Sequence, residues 1–287
     1  MLRAALAVLL GLAACACTSA AASPVPPVTP SPLLPVSSLW TPPTQIRSSG
    51  PAQPKSTPSA SPRTAPGPSV GPTPEHGYDV SYPQCASVLR PAGAGFALIG
   101  VNGGKAFTAN PCLGREWRAA QGTATAYLNS GYNPANYAKA PTGCQRFGAR
   151  IAASAAQQEA YAIGCGEAVY SLQVIHQAGI VPKIIFWIDV ESSNSWSTQD
   201  LSLNRYALQG EFDQLTGRGY LVGVYSTFQN WAEITQDWTA PTVSADWLAS
   251  TAGAPPCPGV GFSRAPVWLR QDPSPWPSPA VDSDWTC

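Results

Sequence analysis

Apolar residues along the chain change their period several times, and the changes mark the elements. "GYDVSYP" (77–83) and "FALIGVNGG" (96–104) read as short strands bounded by Pro and Gly. "TATAYLNSGY" (123–132) predicts a third strand and "KIIFWIDVE" (183–191) a fourth, the latter dense in bulky and β-branched residues. "LVGVYST" (221–227), "SADWLAS" (244–250), "APVWLRQ" (265–271) and "AVDSDW" (280–285) predict four more. Helical spacing falls between them. "PCLGREWRAAQ" (111–121) has Pro at its start, where a helix tolerates it. Residues 152–178 are Ala-rich and stop at Gly179. In 199–216, Leu201, Leu208, Phe212 and Leu215 fall near one face. Strands alternating with helices favour parallel βαβ units. Strands apolar on both faces are those that helices cover. About eight strands therefore predict an α/β fold, an irregular (β/α) TIM-like barrel. The connections after the fifth strand are short or Pro-rich, so its late helices should be short or missing. An open doubly wound sheet is the alternative, and no GxGxxG or phosphate loop favours it.

Composition divides the 287 residues into three parts. Arg3 precedes the apolar run "AALAVLLGLAA" (4–14), which is too short to span a bilayer as a mature helix. "LAAC" follows and resembles a bacterial lipobox, which would make Cys15 a lipidated first residue. Residues 1–22 thus read as a lipoprotein-type signal and the start of the mature chain, with plain cleavage near Ala20–Ala22 as the alternative. Residues 23–74 hold 16 of the 31 prolines, with Ser, Thr and Ala between them. Such a segment buries too little apolar surface to offset its ordering entropy, so a disordered linker is expected. Residues 75–287 remain as one domain, long enough for a full core.

Charge and cysteine content narrow the function. All 16 acidic residues lie at or after Glu75, with 12 of the 16 basic ones, so that part carries 12 − 16 = −4. A weakly acidic domain argues against nucleic acid as a partner. Six cysteines in the domain (Cys85, Cys112, Cys144, Cys165, Cys257 and Cys287) predict three disulfides and an oxidising compartment. Fifteen pairings are possible, and nearest neighbours are the expected choice. No CxxC pair is present and the two histidines are far apart, so no metal site is expected, nor any cofactor.

The candidate chemistry lies in carboxylates at strand ends, where a parallel barrel places its active site. Acids fall at or near such places in three predicted strands: Asp79 in the first, Asp189 and Glu191 in the fourth, and Asp282 in the last. Alternation points Asp189 and Glu191 to one side with Trp187 below them. Two acids in a partly apolar mouth repel, so one should keep its proton near neutral pH. A protonated acid beside a carboxylate is what glycosidic cleavage uses. An Asp-x-Glu triplet can also simply cap a helix, and the further acids at 79 and 282 favour chemistry over that. Among ten tryptophans, Trp187 and Trp268 are the leading candidates for stacking on sugar. Asn102, ending the second strand, is a candidate polar contact.

"GYDVSYPQ", "FWIDVES", "GVYST" and "VDSDW" occur in the order and rough spacing of glycoside hydrolase family 25, which this sequence resembles over nearly all of 77–285. These are Chalaropsis-type lysozymes that cleave the β-1,4 bond after N-acetylmuramic acid in peptidoglycan. The resemblance implies an irregular β/α barrel with Glu191 as general acid. Asp189 would hold the substrate's 2-acetamido group or the developing cation. Asp79 would bond within the cluster, Asp282 would position substrate or water, and Tyr225 would line the floor. The acetamido group would act as nucleophile, giving retention. The family's Tyr-His pair after the third strand is replaced by "AYLNSGYNP", and its Trp-Gln-Tyr run by "VWLRQDP", where Gln271 stands in part. The branch resembled is a divergent one of secreted actinobacterial proteins. The expected protein is an extracytoplasmic, wall-acting monomer tethered through Cys15, with secretion as the alternative. A non-catalytic glycan-binding or wall-anchoring module on the same barrel is the competing reading. A family 18 chitinase-like enzyme ranks lower, because the upstream Asp and Gly of that family are Ile185 and Phe186 here.

Overall fold

The structure, a computed structural model, describes residues 74–86, 90–250, 257–272 and 281–287. The signal segment, Cys15 and all but the end of the linker lie outside the described residues.

Eight strands close a barrel in chain order. They are β1 (His76–Val80), β2 (Phe96–Gly100), β3 (Ala124–Asn129), β4 (Ile185–Asp189), β5 (Leu221–Ser226), β6 (Val243–Ala249), β7 (Val267–Asp272) and β8 (Asp282–Thr286). β1 to β7 run parallel. β8 is antiparallel to both β7 and β1, so the irregular barrel is mixed rather than wholly parallel. The reason lies in chain length. Only residues 273–281 separate β7 from β8, and a parallel return needs a crossover of about a dozen residues or more. The reversal has a functional consequence. Asp282 begins β8 rather than ending it, and so faces Asp79 in register at the C-terminal end of β1.

The helices are α1 (Leu113–Ala119), α2 (Thr142–Ile151), α3 (Ala155–Gln177), α4 (Leu201–Thr216) and α5 (Phe228–Thr235). α3 starts at a capping box in which Ser154 Oγ accepts from the Gln157 N–H at 3.2 Å. It stops at Gly179, whose φ of +67° suits only glycine well. Asp200 and Thr227 cap α4 and α5 by single bonds, their side chains accepting from the Ser202 and Asn230 N–H groups. α2 and α5 were not visible in the apolar pattern. Among the described residues no helix follows β6 or β7, as the short late connections suggested.

Alternation along the strands builds two layers. Leu98, Tyr127, Trp187, Tyr225, Trp247 and Leu269 fill the barrel. Their neighbours Ile99, Leu128, Phe186, Ile188 and Val224 point outward against Ile175, Leu208, Phe212 and Leu215 of α3 and α4. Each large side chain fully buried in this way contributes about 1.5–3 kcal/mol. Trp247 is the centre of the interior, with Tyr225 at 4.4 Å, Tyr127 at 5.8 Å and Trp187 at 6.0 Å between ring centroids. The aromatic filling closes the lower barrel and leaves the C-terminal end for polar groups.

α3 and α4 meet backbone to backbone. A Cβ on Gly164 would lie 1.7 Å from the Ala207 carbonyl oxygen, and one on Gly210 would lie 2.1 Å from that of Tyr161. Gly164→Ala gains about 1 kcal/mol in helix propensity. The forced separation of the helices costs more, about 1–3 kcal/mol or above. The difference is a net loss of up to about 2 kcal/mol in denaturant unfolding; a raised midpoint would contradict the close approach.

The disulfides pair nearest neighbours, Cys85–Cys112, Cys144–Cys165 and Cys257–Cys287, with Cα separations of 5.5, 5.6 and 5.6 Å. The second ties α2 to α3. The third joins the chain end to the segment before β7.

Candidate active site

The C-terminal end of the barrel gathers carboxyl groups from three strands. Asp79 is the fourth residue of β1 and is buried. Its Oδ2 accepts from Gln271 Nε2 at 2.8 Å, and Gln271 Oε1 accepts from the Tyr225 hydroxyl at 2.6 Å. Tyr225, Gln271 and Asp79 thus form one chain across β5, β7 and β1. Below it, Asp284 is fully buried on β8 and accepts from Trp247 Nε1 at 2.8 Å. Burial, then the neighbouring Asp79 charge, holds the Asp284 carboxyl well above its usual range. Asp79 is itself pushed up to about 7, by burial first and by Asp282 second, against the bonds from Gln271 and Asp284.

Asp189 closes β4, in register with Asn129 of β3 and Tyr225 of β5. Asn129 Nδ2 donates to Asp189 Oδ2. Asp189 Oδ1 is buried without a partner among the described residues. Burial, then Glu191 and Asp79, hold this carboxyl well above its usual range. Glu191 lies just past the strand and is half-buried. Its backbone is fixed: Trp196 Nε1 donates to the Glu191 carbonyl at 2.7 Å, and the Val190 N–H donates to the Tyr225 carbonyl at 2.9 Å. Its carboxyl is raised by burial and then by Asp282. Asp282 is exposed on the rim, where the mouth removes part of its water and shifts its carboxyl upward. The four acids singled out in the sequence therefore share one mouth and feel one another's charge. A cluster of this kind retains protons at a pH where isolated carboxyls have lost them.

Three other sequence candidates lie elsewhere. Trp187 is a barrel-filling ring, not a sugar platform: it is 2% exposed and lies over Gly223, where a Cβ would meet the indole at 2.2 Å. Trp268 is 42% exposed on the outer face of β7, because Leu269 and Gln271 take the inward positions. Asn102 is fully buried and offers nothing to a substrate. Its side chain donates to the Asn129 carbonyl at 2.9 Å and accepts from the Asn129 N–H at 3.2 Å. It thereby sets the residue that holds Asp189. Gln271 and Tyr225 do lie in the cluster.

Sequence reasoning missed Asn129, Asp284 and Trp247. Asn129 occupies the end of β3, where the motif comparison sought a Tyr-His pair. Asp284 was in view, since it shares a strand face with Asp282, and only one of the two acids was chosen. Cys85, Cys112 and Glu116 are close enough together to suggest a metal set, but the two sulfurs are joined in a disulfide and are not thiolates.

A family model described as Lys-1, lysozyme-like protein 1, matches residues 156–256. The modular autolysin LytC from Streptococcus pneumoniae, solved with a synthetic peptidoglycan ligand, is similar at TM-score 0.50 and 13% identity, over 74% of this chain and 46% of that one. In fold, the domain is lysozyme-like. A muramidase from Trichobolus zukalii (TM-score 0.48, 15% identity, 74% of this chain and 93% of that one) and a lysozyme from Streptomyces coelicolor (0.44, 16%, 73% and 90%) are also similar. No curated protein matches the sequence. The lysozyme-like domain spans under half the length of LytC. In this lysozyme-like domain the matched stretch runs from α3 through β6, and so includes Asp189, Glu191 and Tyr225.

Proposed function

We propose that the domain is a glycosidase of the family 25 kind that cleaves the β-1,4 bond after N-acetylmuramic acid in cell-wall peptidoglycan. The observation that carries this reading is the meeting of Asp79, Asp189, Glu191 and Asp282 at one barrel end, each with its carboxyl raised. Glu191 is the proton donor, because it is the more open of the two β4 acids and reaches the mouth from a pinned backbone. It protonates the leaving glycosidic oxygen while the substrate's acetamido oxygen closes on the anomeric carbon. Water then opens that ring and returns its proton to Glu191. Asp189, held by Asn129, orients the acetamido group and balances the developing positive charge. Asp79, held by Gln271 and Asp284, shapes the other wall. Asp282 on the rim positions the sugar or the water.

Three disulfides fit an oxidising compartment outside the cytoplasm. Among the described residues no helix is long and apolar enough to cross a membrane. Attachment through lipid on Cys15, with residues 23–74 as a tether, is the corresponding proposal for location.

The test is release of reducing ends from purified peptidoglycan by the wild-type protein. Turnover supports the reading. Binding of glycan with no turnover assigns the non-catalytic module instead. Gln271→Leu removes a hydrogen bond to Asp79, a contact to a charged group that contributes about 1.5–3 kcal/mol. A fall in kcat/KM of about ten- to hundred-fold is expected, and a wild-type value would contradict the role given to the Tyr225–Gln271–Asp79 chain.

A further inference from the structure

Beside the acidic mouth lies a second concavity. The loops after β2, β3 and β4 enclose a pocket of about 280 Å³. Its walls carry Lys105 from the first loop, Asn133, Asn136 and Lys139 from the second, and Asn194 from the third, with Ser130 among the lining. No aromatic side chain lines it. The lining is ammonium, amide and hydroxyl, which suits a charged or amide-bearing group better than the face of a sugar ring.

The charge of the pocket is out of keeping with its surroundings. Residues 75–287 carry 12 − 16 = −4, and the adjoining mouth is lined with carboxyls. Yet two exposed lysines, Lys105 and Lys139, line this pocket; among the described residues neither forms an ion pair, and Lys139 acts only at longer range on the buried Glu167 carboxyl. The Lys139 side chain and the Lys105 backbone are held in place. Lys139 Nζ sits 5.4 Å above the centre of the Phe107 ring, a cation–π contact. The backbone around Lys105 is closed into a tight turn: Thr108 Oγ1 donates to the Lys105 carbonyl at 2.5 Å and accepts from the Gly103 N–H at 2.9 Å. One wall of the pocket adjoins the backbone that carries the β4 acids: the Asn194 N–H donates to the Glu191 carbonyl at 3.0 Å and Asn194 Nδ2 to that of Asp189 at 3.4 Å. That adjacency puts the pocket within reach of a branch on a sugar placed over Glu191. The volume is at the low end for small-molecule sites, which run from about 300 Å³ upward. It admits a short branch and excludes a second glycan strand.

We infer that this pocket receives the carboxylate-bearing peptide branch of the wall glycan, with Lys105 and Lys139 binding its carboxylate and the asparagines its amides. The inference rests on the glycan reading of the mouth and adds a specificity to it: substrate carrying a peptide is preferred over bare glycan.

The experiment measures affinity by calorimetry, in the full chain carrying Glu191→Gln so that no ligand turns over. Three soluble ligands of equal glycan length are compared: one with the peptide, one without it, and a peptide-free glycan bearing a phosphate. The peptide-bearing ligand is expected to bind about ten-fold tighter than bare glycan, as two partly exposed ion pairs at upwards of half a kcal/mol each allow. Lys105→Ser combined with Lys139→Ser should bring the ratio close to one and leave bare-glycan affinity unchanged. Amidating the peptide's carboxylate should do the same. Equal affinity for the peptide-bearing and bare ligands, or a preference that survives the double substitution, overturns the inference while the glycan reading stands. Tightest binding of the phosphate ligand overturns it in favour of a phosphate site. No binding of any of the three overturns both together.

Discussion

Glu191→Gln is expected to lower kcat/KM on peptidoglycan by about 10²- to 10⁴-fold, the range that a positioned general acid contributes. Gln keeps the shape and removes the transferable proton, so glycan affinity should change little. The loss should fall on kcat, since the proton reaches the leaving oxygen only in the transition state. Wild-type activity should decline as pH rises through the Glu191 pKa. That pKa lies above the usual glutamate value because of burial and then Asp282. Asp282→Asn should therefore bring the alkaline limb to lower pH, because it removes a negative charge that favours the protonated form. Steady-state kinetics across pH, with both variants, measure all three effects. An alkaline limb that stays in place in Asp282→Asn contradicts the electrostatic account.

The domain should also be more stable at pH 5 than at pH 8, the reverse of the trend for proteins stabilised by ionised carboxylates. Burial raises Asp79 from 3.8 to about 7, Glu167 from 4.5 to about 7 and Asp246 from 3.8 to about 6 in the folded chain. Burial raises Asp189, Glu211 and Asp284 as well. Each group binds its proton more tightly folded than unfolded. Its stabilising contribution is whole below pH about 4 and is lost as pH climbs through the folded value. Opposing groups are few: Asp200 is lowered at the exposed start of α4, and burial lowers His76. Several such losses, at about 2–4 °C per kcal/mol for a domain of this size, should lower the Tm by at least about 5 °C between pH 5 and pH 8. Two of the acids lie away from the mouth and allow a clean check. Glu167 accepts from Asn102 at 3.3 Å and Ser171 at 3.1 Å, and Glu211 from Ser130 at 2.9 Å, behind β3. Glu167→Gln with Glu211→Gln should flatten the pH dependence. A Tm that rises from pH 5 to pH 8 in the wild type contradicts this.

The strands were legible because each is a short apolar run that breaks at Gly, Pro or an acid. "KIIFWIDVE" is the plainest case, and β4 covers its centre. The direction of β8 is legible in connection length, since the nine residues between β7 and β8 are too few for a parallel crossover. α2, "TGCQRFGARI", escaped because it has few apolar residues and is tied down by Cys144–Cys165 instead. The four acids were legible from their places at strand ends. Their supports were not. Alternation says that Trp268 and Leu269 face opposite ways, but not which faces inward. That choice follows register, which shifts between Asp246 and Trp247 where β6 meets β7. Asn129 and Asp284 are ordinary polar residues in sequence, and they gain meaning only from lying against Asp189 and Asp79.

The central claim is that this mouth hydrolyses wall glycan on the muramic acid side with Glu191 as acid. The most direct measurement digests purified peptidoglycan with the wild-type protein, reduces the new chain ends with borohydride, and identifies the reduced sugar by mass spectrometry. The account expects reduced N-acetylmuramic acid from the wild type and no product above background from Glu191→Gln. Reduced N-acetylglucosamine as the new end, or equal product from both proteins, would contradict it.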